Sequence, residues 1–289
     1  MRKEDNFSLF GLYLRRFFSY LVLIILTLLC LVPFYVLFVN SSRSHADIQK
    51  GFSLLPGKFL ITNYKSLLLD KNLPVIRGIA NSFIVAASSS LLSVYFSSLT
   101  AYAVHAYDFK LKKLLFSFIL MVMMVPTQVT SLGFIKLVRE VSFLKNTYWP
   151  LIIPSISAPI VVFFIKQYME TALPVEIVEA ARIDGSHEFS TFNRIVLPIM
   201  KPAIAVQAIF SFTSSWNNYF IPALVLAEVD KNKKTLPILI AQLRSADFLK
   251  FDMGKLYMMI AVSIFPIVVI YLILSKQIVS GVAMGSVKG

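Results

Sequence analysis

An all-α integral membrane fold with about six transmembrane helices is what this chain of 289 residues predicts. Three observations predict it. Hydrophobic residues make up 57% of the chain and charged residues only 15%, against about 25% charged in a soluble domain. The mean hydropathy is +0.74. The apolar residues also gather into separate stretches near the roughly 20 residues that a bilayer-spanning helix needs.

The predicted spans are 17–39, 81–104, 115–138, 147–168, 202–226 and 256–275. The first is too long for a signal-peptide core and lacks a small-residue cleavage pattern, so it reads as an uncleaved span. The second carries Ser89, Ser93, Ser97 and Ala101 at intervals of four, a stripe that lets a neighbouring backbone come close. The remaining four contain proline, at Pro126, at Pro154 and Pro159, at Pro222 and at Pro266. Each removes a backbone donor and is expected to kink or break its helix.

Between the spans lie a polar segment at 40–80, a basic turn at Lys110, Lys112 and Lys113, a short link near Lys145, a polar loop at 169–201 and a charged stretch at 227–255. An even number of spans puts both termini on one side. Which side is not settled by charge, because basic residues divide almost evenly between the two sets of loops. Lys136 and Lys166, near span ends, are expected to snorkel toward headgroups.

Several kinds of chemistry are excluded. All fifteen acidic residues fall outside the predicted spans, and proton-coupled transport usually needs an ionisable group inside one. His45, His105 and His187 are isolated and Cys30 is the one cysteine, so metal-ligand spacing and a disulfide framework are both missing. No catalytic constellation is evident. No phosphate-binding G-x-x-x-x-G-K-[ST] occurs, since Gly57-Lys58 is followed by Phe59 and Gly254-Lys255 by Leu256. The net charge of +13 is spread over the loops and does not build the stripe a nucleic acid would need. Contact with anionic lipid is the plainer use.

The most informative stretch lies between the fourth and fifth spans: Leu173-Pro174-Val175-Glu176-Ile177-Val178-Glu179-Ala180-Ala181-Arg182-Ile183-Asp184-Gly185, followed after nine residues by Ile195-Val196-Leu197-Pro198. It describes two short helices with a break. Pro174 suits a helix start, Glu176 and Glu179 favour that helix's amino-terminal half, and Glu179 and Arg182 are spaced to pair. Gly185 suits a left-handed closing residue and Ser186 a cap for the second helix. Ala180 and Ala181 are small enough for a partner surface to come close.

Glu179-Ala180-Ala181, Gly185, Ile195 and Leu197-Pro198, at this spacing, resemble the EAA motif of permease subunits in binding-protein-dependent ABC importers. The resemblance extends over nearly the whole chain. The Pro126 region, Trp216-Asn217-Asn218-Tyr219 and the glycine-containing tail look like the carbohydrate branch, in particular its second, maltose-type permease.

That resemblance implies a transport subunit and not an enzyme, with alternating access to a sugar or oligosaccharide pathway. It implies a bacterial inner-membrane location, with a cytoplasmic segment at 1–16, a permease domain at 17–280 holding the coupling loop at 169–201, and a cytoplasmic tail at 281–289. The implied partners are a second permease in a heterodimer, two ATPase subunits that bind ATP and magnesium in place of this chain, an extracytoplasmic solute-binding protein and membrane lipid. Glu179, Ala180, Ala181, Arg182, Asp184 and Gly185 are then the ATPase-coupling residues. Trp216, Asn217, Asn218 and Tyr219 are the candidate pathway residues, offering an aromatic face and amides to a sugar. The aromatic pair suits interfacial anchoring equally well. An ATP-independent secondary transporter or channel is the competing reading, and it leaves the motif unexplained.

Overall fold

The computed structural model describes residues 2–245 and 251–286. Among them the secondary structure is helical throughout. Two compact units emerge, Met1–Asp70 with Leu243–Val262, and Lys71–Gln242 with Ser263–Gly289.

In the first unit, helix α1 (Arg2–Ser41) passes unbroken through Pro33. Residues 11–35 are exposed on every face of that helix, which is the surface of a lipid-facing span. The polar segment that follows folds into an elbow with helices α2 (His45–Gln49) and α3 (Leu60–Leu68). Its centre is Arg43, only 8% exposed, whose guanidinium donates to Asn40 Oδ1 at 3.1 Å and to the carbonyls of Gly51 and Asp47. Asn63 adds bonds from Nδ2 to the carbonyls of Ser41 and Arg43, at 2.8 and 2.9 Å. A Cβ on Gly57 would lie 2.5 Å from the Ser42 carbonyl oxygen, so only glycine fits there.

The second unit is built around helix α4 (Val75–Ala106). After it come α5 (Lys112–Met123), α6 (Thr127–Glu140), α7 (Trp149–Ile152), a 3-10 turn at Ile153–Ile156 and α8 (Pro159–Ala172). The loop helices α9 (Val175–Ile183) and α10 (Glu188–Thr191) lead through a π-helical turn (Phe192–Val196) and α11 (Leu197–Ile199) into α12 (Lys201–Trp216). Then follow α13 (Phe220–Val225) and a 3-10 turn at Lys231–Lys233, and the last two helices, α14 (Leu236–Arg244) and α15 (Met253–Ser286), each have residues in both units.

The small-residue stripe of α4 does what its spacing predicts. Ser89, Ser93, Ser97 and Ala101 are all buried. Ser89 and Ser97 donate to the carbonyls of Leu151 and Ala158, and Ser90 to that of Ala208. The chain positions rise together along α4 and α7–α8, so these run parallel. Against α12, α4 runs in the opposite sense, as the Phe83–Phe212 ring contact at one level and the Ser90–Ala208 bond at another show. The core between these helices holds Val94, Ala101, Tyr102, Ile165, Met169 and Phe192.

Among the described residues, four helices are long and apolar enough to cross a membrane: Gly11–Ser41, Val75–Ala106, Trp149–Ala172 and Met253–Lys276. Two bent pairs bring the count to six if each is one span. The prolines were expected to kink or break the last four spans, and the outcome differs from span to span. The third span is broken ahead of Thr127, with α5 and α6 at 94°. The fifth, expected over 202–226 with a kink or break at Pro222, ends earlier, at Trp216, turns at Asn217–Tyr219 and resumes as α13, which contains Pro222. Its amino-terminal end is bent by 82° between Glu188–Ile199 and Lys201–Trp216, next to Pro198 and Pro202, which supply no N–H. Pro266 leaves α15 unbroken. The expected boundaries at 16 and 280 fall inside α1 and α15, and residues 287–289 of the expected tail lie outside the described residues.

Candidate functional site

The loop after α8 forms a knob whose shape follows from its sequence. Pro174 precedes the first turn of α9 with φ −57° and ψ 137°. Val178 (0% exposed) and Ala181 (5%) face inward, and Val178 joins the core that contains Leu173, Met169 and Phe192. Gly185 closes the helix at φ +76°. Its N–H donates to the Arg182 carbonyl at 3.0 Å, and that of Ser186 to the Ala181 carbonyl at 3.0 Å. This pair of bonds is the Schellman closure that a left-handed glycine allows.

The outward face presents Glu176, Ile177, Glu179, Ala180, Ile183, Asp184 and Gly185, all exposed. Ile183 is 87% exposed and Phe189, on α10, is 69% exposed. Two large apolar side chains in open water beside a carboxylate make a surface suited to a protein partner.

The structure departs from the expected roles in three places. Ala181 is buried within the chain's own packing, which leaves Ala180 as the small residue on the open face. Arg182 does not pair with Glu179. Its Nε donates to Glu188 Oε1 at 2.7 Å and its guanidinium lies 4.9 Å from the centre of the Tyr107 ring. The reach across the turn wins because Glu188 also accepts from the Tyr102 hydroxyl at 3.0 Å, so one carboxylate ties α9, α10 and α4 together. The bond to Glu188 first, and then Tyr107, hold the Arg182 pKa above its ordinary value. Ser186 does not cap α10, whose cap position is His187. The Ser186 hydroxyl instead accepts from Thr191 at 2.9 Å.

One further bond seats the knob. His105 Nε2 donates to the Leu173 carbonyl at 2.8 Å. Lys166 pairs with Glu170 and lies 4.6 Å from the Phe116 ring centre, with its side chain 16% exposed. Glu188, Tyr102, Tyr107, Ile183 and Phe189 were not singled out from the sequence. Tyr102 and Tyr107 at the end of an apolar span are the one signal that could have flagged the tie.

The four candidate pathway residues separate. Trp216 is 3% exposed and stacks on Phe212 at 5.8 Å and 18°, so its ring is packed within the chain. Asn217 ends α12, its N–H bonded to the Thr213 carbonyl at 3.0 Å. Tyr219 is 49% exposed. Asn218 lines a cavity of about 360 Å³ that none of the other three reaches.

Comparison with known proteins places this arrangement. Residues 93–283 match the family described as binding-protein-dependent transport system inner membrane component. The arabinooligosaccharides transport system permease protein AraQ of Bacillus subtilis (strain 168) is 32% identical over 295 residues, covering 100% of both chains. The sn-glycerol-3-phosphate transport system permease protein UgpE of Salmonella typhi is 32% identical over 218 residues, 74% of this chain and 77% of the relative. A crystal structure of a bacterial ABC transporter involved in the import of the acidic polysaccharide alginate superposes with a TM-score of 0.74 at 20% identity, covering 90% of this chain and 96% of that one. The chain therefore belongs to the binding-protein-dependent transport system inner membrane component family, as a multi-pass permease subunit of an ABC importer and not an enzyme.

Proposed function

We propose that this permease pairs with a second, different permease, receives a sugar or oligosaccharide from an extracytoplasmic solute-binding protein, and is driven by two ATPase subunits docked on the α9 knob. The observation that carries the reading is the open face of Glu179, Ala180, Ile183 and Gly185 on a helix whose other face is packed onto α4 and α8. ATP and magnesium belong to the ATPase subunits, and closure of those subunits moves the knob. The packed end of α4 then moves with it as one body, rocking the pathway between its two openings.

In this reading the knob and both termini are cytoplasmic. The far end of α4, where Asn81 Nδ2 donates to the carbonyls of Asn232 and Lys234, is extracytoplasmic. A cavity of about 1040 Å³ there, lined by Arg77, Asn81, Tyr148, Asp230 and Lys233 among others, faces the solute-binding protein. The similarity to a permease named for arabinooligosaccharides supports a saccharide cargo.

The test is ATP-driven uptake in proteoliposomes that hold the whole transporter. Glu179→Lys should abolish uptake by reversing a charge at the docking face. Gly185→Pro should do the same, because proline fixes φ near −65° and removes the N–H that bonds Arg182. Both variants should still insert in the membrane. Wild-type uptake by both would remove the coupling role.

A further inference from the structure

Three interruptions of helical structure meet at one place in the second unit: the break before Thr127, the turn at Ile153–Ile156 that contains Pro154, and the turn at Asn217–Tyr219 before α13. Residues from all three line the cavity of about 360 Å³. We infer that this cavity, within the chain itself, is a binding site for a neutral polyhydroxylated solute such as one unmodified sugar ring, and that it selects against phosphorylated or acidic sugars. The inference rests on the importer reading and assigns that importer's solute to particular groups in this subunit.

The chemistry of the wall carries it. The polar side chains are four hydroxyls and one amide, from Thr127, Thr130, Ser131, Ser215 and Asn218, with Phe134 beside them. Thr130 and Ser131 spend their protons on the carbonyls of Thr127 and Gln128, at 3.1 and 2.7 Å, and keep lone pairs that accept from a sugar hydroxyl. Asn218 takes the Ile221 N–H on its Oδ1 at 3.4 Å, which leaves the Nδ2 donors for a solute oxygen. Pro222, also in the wall, has no N–H to return to the Asn218 carbonyl. The site thus offers both acceptors and donors around an aromatic edge, as a ring bearing several hydroxyls requires.

Charge decides the class. None of the lining residues is Lys, Arg, Asp or Glu. A phosphate or carboxylate drawn into this wall would lose its water without meeting a cation, a severe penalty. The volume corresponds to about a dozen waters and lies toward the small end of ligand sites, at roughly 300–1,000 Å³. One ring is held at a time, and a longer chain would pass stepwise.

The experiment uses the whole transporter in proteoliposomes with its solute-binding protein. The neutral probes are radiolabelled arabinotriose, maltotriose and lactose, and the anionic probe is sn-glycerol 3-phosphate. At least one neutral probe should be taken up and the anionic probe should not. Asn218→Leu and Ser215→Ala should each lower neutral uptake by about two- to tenfold, the worth of one lost hydrogen bond, with assembled complex recovered in wild-type amount. Should a variant fail to assemble, Asn218→Cys in a Cys30→Ser background reads the site directly, with thiol modification slowed severalfold by the transported neutral sugar. Uptake of the anionic probe, no uptake of any neutral probe, or a thiol introduced by Asn218→Cys that the sugar leaves unprotected overturns the assignment. Gly185→Pro run in parallel separates the two claims. If it abolishes uptake while the cavity variants transport normally, the site alone is wrong, and if it too transports normally, the importer reading falls with it.

Discussion

Gly185 shows how far a single residue can be read in advance. Its suitability for a left-handed turn is a property of having no Cβ, and the structure finds it at φ +76° with no atom near where a Cβ would project. The strain of a substitution there is therefore conformational and not steric. Gly185→Ala should destabilise the knob by about 1 kcal/mol, visible as a lower midpoint for limited proteolysis of the loop, while retaining more uptake than Gly185→Pro. Arg182 shows the limit of such reading. Spacing along one helix offered Glu179 as its partner, but the winning carboxylate, Glu188, lies past a turn and is held by Tyr102 of another helix. Local sequence carries no record of that third element. Removing the cross-tie with Tyr102→Phe should lower the solute moved per ATP hydrolysed by roughly threefold, since a bond to a charged group is lost. Equal ratios in wild type and variant would show that the tie passes no motion.

At the scale of elements, α4 was the most legible, because serine and alanine at every fourth position have one efficient use beside a neighbouring backbone. Ser97 is 0% exposed and donates toward the Ala158 carbonyl at 3.4 Å. Ser97→Leu should cost about 1–3 kcal/mol by overpacking, measured as a drop in the thermal midpoint of the purified protein. The broken spans were half legible. Proline marks where a donor is missing, but whether the helix stops, as before Thr127, or continues, as through Pro266, depends on what lies alongside. Trp216 was legible in part: Phe212 lies four residues before it on α12, so helical spacing alone brings the two rings together, while its burial depends on the helices packed around it.

For the molecule as a whole, composition and span length pointed to the class, and the motif marked a loop helix on which Glu179, Ala180, Asp184 and Gly185 are exposed while Ala181 is buried. What they could not show was the compact elbow around Arg43, which needs donors and acceptors from residues up to Asn63 to meet. A formal net charge of +13 places this subunit under the influence of lipid charge. Its thermal midpoint should be higher in bilayers containing phosphatidylglycerol than in pure phosphatidylcholine. Equal midpoints in both would show that the basic residues serve something other than headgroups.

The bond from Ser90 to the carbonyl of Ala208 joins residues 118 positions apart. During synthesis at about 5–20 residues per second, Ser90 therefore waits roughly 6–24 s for α12 to emerge from the ribosome. For that interval its hydroxyl sits in hydrocarbon or against whatever insertion machinery shelters it. A nascent chain arrested before α12 should crosslink to such a holding factor through α4, and one released after α12 should not.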